Sequence, residues 1–260
     1  MKIPMYVANA FCRQPFTGNP AAVCLLNEWP GAGLMQNIAS QNNLSETAFL
    51  IREGDGYHIR WFTPVAEIPL AGHPTLAAAH ILFSEDLHSG DVIIFYSDSG
   101  KLTVKREMDE YILNFPSDAI NEIPAPGHLL QAFDSAPVDC YKGMQDYMLV
   151  FKTQQEIENA EPDLELIAKV KARGVIITAP GNEVDFVSRY FAPQVGIDED
   201  PVTGSAHTTM IPYWWQRFGR MKMNAVQLSG RKGYLSCVYL EDRVEIGGKC
   251  ITFLRGEISV

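Results

Sequence analysis

The chain has no CxxC pair, and its five cysteines (Cys12, Cys24, Cys140, Cys237 and Cys250) are odd in number and scattered. That pattern argues against a zinc or disulfide framework and fits reduced thiols buried as small apolar residues. Positive charge is also scarce. Lys and Arg total 21 against 31 Asp and Glu, for a formal net charge of −10 and a pI near 5.1. Nucleic-acid backbones and anionic membranes both favour a basic face, so neither is expected as the main partner. No apolar run reaches spanning length, and Met1-Lys2-Ile3-Pro4 enters strand-like sequence directly. Neither a transmembrane helix nor a signal peptide is indicated, and the expected compartment is the cytoplasm. Low-complexity segments are missing too. What remains is 260 residues, 47% hydrophobic, enough for one large or two modest cored domains.

Short strand-like runs dominate, separated by Pro/Gly turns such as Phe16-Thr17-Gly18-Asn19-Pro20 and the hairpin signal Glu53-Gly54-Asp55-Gly56. Two helical runs stand apart: the first is apolar on nearly every side, which describes a helix surrounded by protein, and the second is apolar on several faces. The first spans Pro74 to about Phe83; the second spans Ser205 to about Phe218 and contains Pro212, which predicts a kink or an early break. Pro116 to Pro126 reads as a linker, dividing the chain into 1–116 and 117–260.

The two halves share a motif. Arg60-Trp61-Phe62-Thr63-Pro64 leads to Glu67-Ile68-Pro69-Leu70-Ala71-Gly72-His73, and Arg189-Tyr190-Phe191-Ala192-Pro193 leads to Glu199-Asp200-Pro201-Val202-Thr203-Gly204-Ser205. Both read Arg-aromatic-Phe-x-Pro followed by Glu-x-Pro-x-x-Gly. A duplication would place two helix N-termini in equivalent positions, and two such ends facing each other would form an anion-binding cleft.

Three groups of residues could carry chemistry. His73, between Gly72 and Pro74, sits at a positive helix end that biases it toward neutrality, although such a histidine can equally be a simple cap. Asp200 precedes Pro201 in the second copy, where Gly204 and Ser205 occupy the places of Gly72 and His73; an Asp there is often only a cap. Glu46, at the edge of an apolar strand, becomes a usable acid or base if it points into a closed cleft and is ordinary surface charge if it points to water. A hydrolase built on Ser205 and His207 is a weaker alternative, since the two are close together at a helix start and no GxSxG elbow surrounds Ser205.

On these residues the chain resembles the PhzF family, named for its phenazine-biosynthesis isomerase. The similarity runs through Phe16 to Val23, Ser45-Glu46-Thr47-Ala48-Phe49, Ala71-Gly72-His73-Pro74-Thr75, Val187 to Pro193 and Asp198 to His207. The resemblance implies the diaminopimelate-epimerase-like α+β fold: two pseudo-symmetric domains, each an antiparallel sheet wrapped around a central helix, with the last strand returning to the first domain. It also implies Glu46 as catalytic acid/base, His73 and Asp200 as its helpers, and Gly72, Gly204 and Ser205 as holders of the carboxylate of a small acid. No metal, flavin or nicotinamide is implied as cofactor, and a homodimer is. Relatives of the wider fold group use two cysteines, one before each helix; here Ala71 and Thr203 stand beside the glycines. The expected activity is therefore proton transfer between carbons by a one-base isomerase, with a non-catalytic small-acid-binding protein as the alternative.

Overall fold

Turns rich in glycine and asparagine divide the first part of the chain into short extended segments. In the computed structural model, which describes all 260 residues, these are β1 (Lys2–Ala10), β2 (Asn19–Leu26), β3 (Glu46–Glu53), β4 (Gly56–Phe62), β5 (Glu67–Ile68), β6 (Val92–Ser97), β7 (Gly100–Glu107) and β8 (Glu110–Pro116). Helix α1 (Ala32–Asn42) follows β2, and α2 (Gly72–Ser84) follows β5. The rest comprises β9 (Asn121–Glu122), α3 (Gly127–Gln131), β10 (Asp139–Lys142), β11 (Asp146–Val150), α4 (Gln154–Glu158), α5 (Leu164–Ile167), β12 (Gly174–Pro180) and β13 (Phe186–Phe191). A 3-10 turn at Gly204–Ala206 then leads into α6 (His207–Phe218), followed by β14 (Lys222–Gln227), β15 (Gly233–Leu240), β16 (Arg243–Gly248) and β17 (Cys250–Ser259).

The chain divides into two units, one made of Met1–Asn114 with Gly247–Val260 and the other of Phe115–Ile246. In the first, β1–β2 is antiparallel, β2–β3 parallel, β3–β4 antiparallel, β4–β6 parallel and β6–β7 antiparallel. In the second, β10–β11 is antiparallel, β11–β12 parallel, β12–β13 antiparallel, β13–β14 parallel and β14–β15 antiparallel. The order is the same. Each parallel join is a crossover through a helix, since a tight turn cannot link parallel neighbours: α1 and α2 serve the first unit, α4 with α5 and α6 the second. Strand β17 pairs antiparallel with β1, from Lys2 against Ser259 to Ala10 against Cys250, and so completes the first unit.

The central helices follow from their composition. Every residue of α2 from Gly72 to Phe83 is buried, and the helix packs against β1, β2, β3, β7 and β17. Such burial removes apolar surface on all sides of the helix, worth about 25 cal/mol per Å². In α6, His207, Thr209 to Trp214 are buried. The second unit's core gathers Leu149, Val175, Ile177, Val187 and Phe191 from its strands with Leu129, Ile157 and Ile167 from its short helices. No helix is long and apolar enough to cross a membrane.

Two sequence expectations change. The helix does not break at Pro212; α6 runs through to Phe218. Proline lacks the N–H that would bond the carbonyl four residues back, and that carbonyl, Thr208 O, accepts instead from Asp118 N at 3.2 Å. Asp118 is held there by bonds from Thr209 Oγ1 at 2.8 Å and Met144 N at 3.1 Å. The second central helix also begins later than Ser205, because Gly204–Ala206 winds as a 3-10 turn first. Between Asp163 and Lys171, only Leu164–Ile167 is helical, with Asp163 as its side-chain cap.

Candidate active site

Two half-sites lie at equivalent positions in the two units. In the first, Glu46 opens β3 and stands in register with Ala21 of the parallel neighbour β2. Its side chain is 11% exposed, and Oε2 lies 3.0 Å from Nε2 of His73, itself 6% exposed. The approach lies outside hydrogen-bond angles, so the two groups touch as a close polar pair without an aligned bond. Burial pushes the His73 imidazole down to about 3, with the Pro20 backbone hydrogen bond opposing the shift, so the ring is neutral near pH 7. Asn19, fully buried, places Nδ2 3.2 Å from His73 Nδ1. Its position is set by Gly18, whose φ of +75° suits glycine and where an added Cβ would lie 2.2 Å from Ala10 O.

Gly72 is the first residue of α2. Ala71 before it is extended, and no side chain caps the helix. Thr75 Oγ1 bonds Ala71 O at 2.6 Å, and Pro74 has no N–H, which leaves the amides of Gly72 and His73 as the first donors of that helix start.

The second half-site repeats the backbone with different side chains. Thr203 is extended before the turn and again no side chain caps it, because its hydroxyl is given to Asp200 Oδ2 at 2.5 Å. Asp200 is 7% exposed. Gln227 on β14 braces the segment, donating to Asp200 O at 2.7 Å and accepting from Thr203 N at 2.8 Å. Gly204 and Ser205 form the turn, and Ser205 Oγ accepts from Arg173 Nη1 at 2.8 Å. His207 Nδ1 bonds Thr203 O at 2.9 Å, the ring is fully buried, and burial lowers its pKa to about 4 against a bond to Thr203 that raises it. Ser205 and His207 thus turn to different partners, and the Ser–His hydrolase alternative has no dyad.

The structure brings Glu46, His73 and Gly72 together in one unit and Asp200, Gly204 and Ser205 together in the other. The repeated motif has a visible purpose in each. Arg60 grips Glu67 through Nε and Nη2 at 2.6 and 2.7 Å, and Arg189 grips Glu199 through the same atoms at 2.8 and 2.9 Å. Each bidentate pair ties the end of a strand to the loop that feeds a central helix. Sequence reasoning missed Gln227, Arg173 and Asp146, which carry no local motif; Asn19 lies in a turn that is part of the family resemblance, yet nothing local gives it a role. His80 on α2 bonds Tyr111 OH at 3.0 Å and Thr252 Oγ1 at 2.8 Å, a satisfied core histidine. The five cysteines are buried, and none stands at either helix start. No group of three or more His, Cys, Asp or Glu side chains gathers to hold a metal.

The two sheet-wrapped helices define a mixed α+β fold of the epimerase-like kind. A hydroxyproline epimerase from Agrobacterium vitis has it as well, with a TM-score of 0.63 over 99% of this chain and 92% of that one at 9% identity, a likeness of fold alone. The family model of phenazine biosynthesis-like proteins (PhzC-PhzF) matches residues 8–256, and the chain belongs to this PhzF family. It is 43% identical to an uncharacterized isomerase of Pseudomonas aeruginosa over 260 residues, covering all of both chains. The crystal structure of a PhzF-family protein from Enterococcus faecalis superposes with a TM-score of 0.97 at 42% identity, again over all of both chains.

Proposed function

We propose that this protein is a cofactor-independent isomerase that moves a proton between carbons of a small carboxylic acid, with Glu46 as the acid/base. The observation that carries the reading is the buried Glu46–His73 pair, 3.0 Å apart at the start of the first central helix. Relatives named isomerase and membership of the PhzF family support it. A protonated imidazole beside Glu46 would hold the carboxylate as an ion pair and weaken it as a base. A neutral His73 steadies the side chain without that penalty.

In this mechanism the amide of Gly72 holds the substrate carboxylate, which presents the neighbouring C–H to Glu46 of the same unit, and Gly204 and Ser205 are the corresponding carboxylate holders of the second unit. Glu46 removes that proton, the electron pair spreads into the substrate's π system, and Glu46 returns a proton, a deuteron once its carboxyl has exchanged with deuterium oxide, at another carbon. Asp200, kept in place by Thr203 and Gln227, assists the transfer. The active species is a homodimer, which sedimentation measures.

The test is proton NMR in deuterium oxide on cyclic and acyclic amino or hydroxy carboxylic acids, with Glu46→Gln beside the wild type. Loss of a C–H signal that depends on Glu46 supports the reading. Exchange that persists in Glu46→Gln removes Glu46 from its role, and binding without exchange by the wild type moves the protein to ligand binding.

A further inference from the structure

The second unit contains an ion pair, its carboxylate buried and its guanidinium partly exposed, that the proposed mechanism does not use. Asp146 opens β11, and its side chain is 2% exposed. Arg173, immediately before β12, donates from Nε to Asp146 Oδ1 at 3.1 Å and from Nη2 to Oδ2. Tyr190 OH also donates to Oδ1 at 3.0 Å, and the guanidinium lies 5.5 Å from the Tyr190 ring centroid. Gln194 pins the backbone beneath, bonding the carbonyls of Ala172 and Arg173 at 2.9 and 2.8 Å. One arm of the guanidinium is left over, and it reaches Ser205 Oγ at 2.8 Å.

The direction of that last bond has a consequence. A guanidinium has five N–H donors and no acceptor, so Ser205 Oγ can only receive. The Ser205 carbonyl accepts from Thr208 Oγ1 at 2.7 Å and from the His207 amide, and none of these bonds uses the hydroxyl proton. It is matched by an acceptor-only group, and a charged acceptor is bonded about twice as strongly as a neutral one.

We propose that Arg173 is a positioning residue that commits the Ser205 hydroxyl to donate, and so selects a ligand carboxylate over the corresponding neutral amide. The inference rests on the reading that Ser205 holds the substrate carboxylate, and deepens it. Asp146 balances the charge of Arg173, so the selection comes from the orientation of a hydroxyl more than from a net field.

Two readouts test it. In the first, Ser205→Cys supplies a thiol whose pKa is read from the pH dependence of alkylation by iodoacetamide; the five native cysteines are buried, so the introduced thiol reacts first. A donor-only neighbour lowers that pKa below the ordinary value of about 8.5. Adding Arg173→Met raises it by a unit or more, and Arg173→Lys keeps it low. Arg173→Met strands the Asp146 carboxylate, so Asp146→Asn/Arg173→Met is measured beside it as the fold-preserving version. An unchanged thiol pKa in both overturns the coupling.

The second readout is ligand-observed NMR with benzoate and benzamide as probes. The wild type and Arg173→Lys bind benzoate at least tenfold more tightly than benzamide, and Arg173→Met loses the difference. Equal binding of the two probes by the wild type, or a preference that survives Arg173→Met, overturns the selection. Both readouts are titration and binding measurements on the resting protein that need no turnover, so failure of the proton-transfer reading is separable from failure of this one.

Discussion

The two units repeat one topology and differ in what they place at it. In the first parallel pair of each unit, Glu46 of β3 faces Ala21, while Gly174 of β12 faces Asp146. At the start of each central helix, His73 stands in one unit and Ser205 in the other. One unit thus holds a carboxylate against a neutral imidazole, and the other a guanidinium against a hydroxyl. The duplicated backbone supplies similar helix starts in both places. Side chains then divide the labour: proton transfer suits the first set, and holding an anion suits the second.

The largest expected effect separates these roles. Glu46→Gln is expected to lower carbon-bound proton exchange by about 10²–10⁴-fold, with thermal unfolding little changed because the amide is nearly isosteric. Ser205→Ala in the second unit is expected to raise KM more than it lowers kcat, and steady-state kinetics distinguishes the two. Equal effects on kcat would break the division.

Acid should unbalance the units next. His73, His80 and His207 have pKa values pushed by burial to about 3, 4 and 4, from an ordinary 6.5. The unfolded chain binds protons at these sites before the folded one does, so their contribution to stability is complete above pH 6.5 and is lost as pH falls toward the folded values. Each imidazole can remove about 1.4 kcal/mol per pH unit in that window. Two of the three lie in the first unit, whose core amides are expected to lose hydrogen-exchange protection first between pH 6 and 4.5. Protection that falls equally in both units would contradict this.

A third change sharpens the structural side. An added Cβ at Gly174 would stand 2.3 Å from Tyr190 OH, the hydroxyl that bonds Asp146. Gly174→Ala should cost about 1–3 kcal/mol through overpacking, read from the urea midpoint. The paired arginines differ from each other. Arg189 also donates to the carbonyls of Ile157 and Ala160 at 3.2 and 2.6 Å, whereas Arg60 rests on Trp29 and Phe62 near the surface. Arg189→Ala should cost about 2 kcal/mol and Arg60→Ala about 0.5 kcal/mol. Equal costs would show that the repeated motif is energetically symmetric.

Much of this architecture is written locally. The all-round apolar character of α2, the several apolar faces of α6, the hairpin at Glu53 to Gly56 and the paired Arg–Glu motif are short-range patterns, and each corresponds to an observed element. The short helix α4 was equally legible, since Thr153 and Glu156 form a capping box, yet its five residues offer too little periodicity to stand out. Pro212 shows the limit: a local rule predicts a break, and a distant amide, Asp118 N, satisfies the freed carbonyl.

The site divides the same way. Glu46 announces itself as a charge at the edge of an apolar strand, and His73 and Asp200 as an imidazole and a carboxylate beside Pro/Gly turns, all of which local composition records. Gln227 reaches Thr203 from 24 residues away and Arg173 reaches Ser205 from 32. By itself the sequence determined the helices, the turns and the repeated motif, because these depend on neighbours within a few positions. Only the tertiary structure decided that Glu46 meets His73 and that Arg173 bonds Ser205, because packing the starts of the central helices against the strands brings such distant residues within reach.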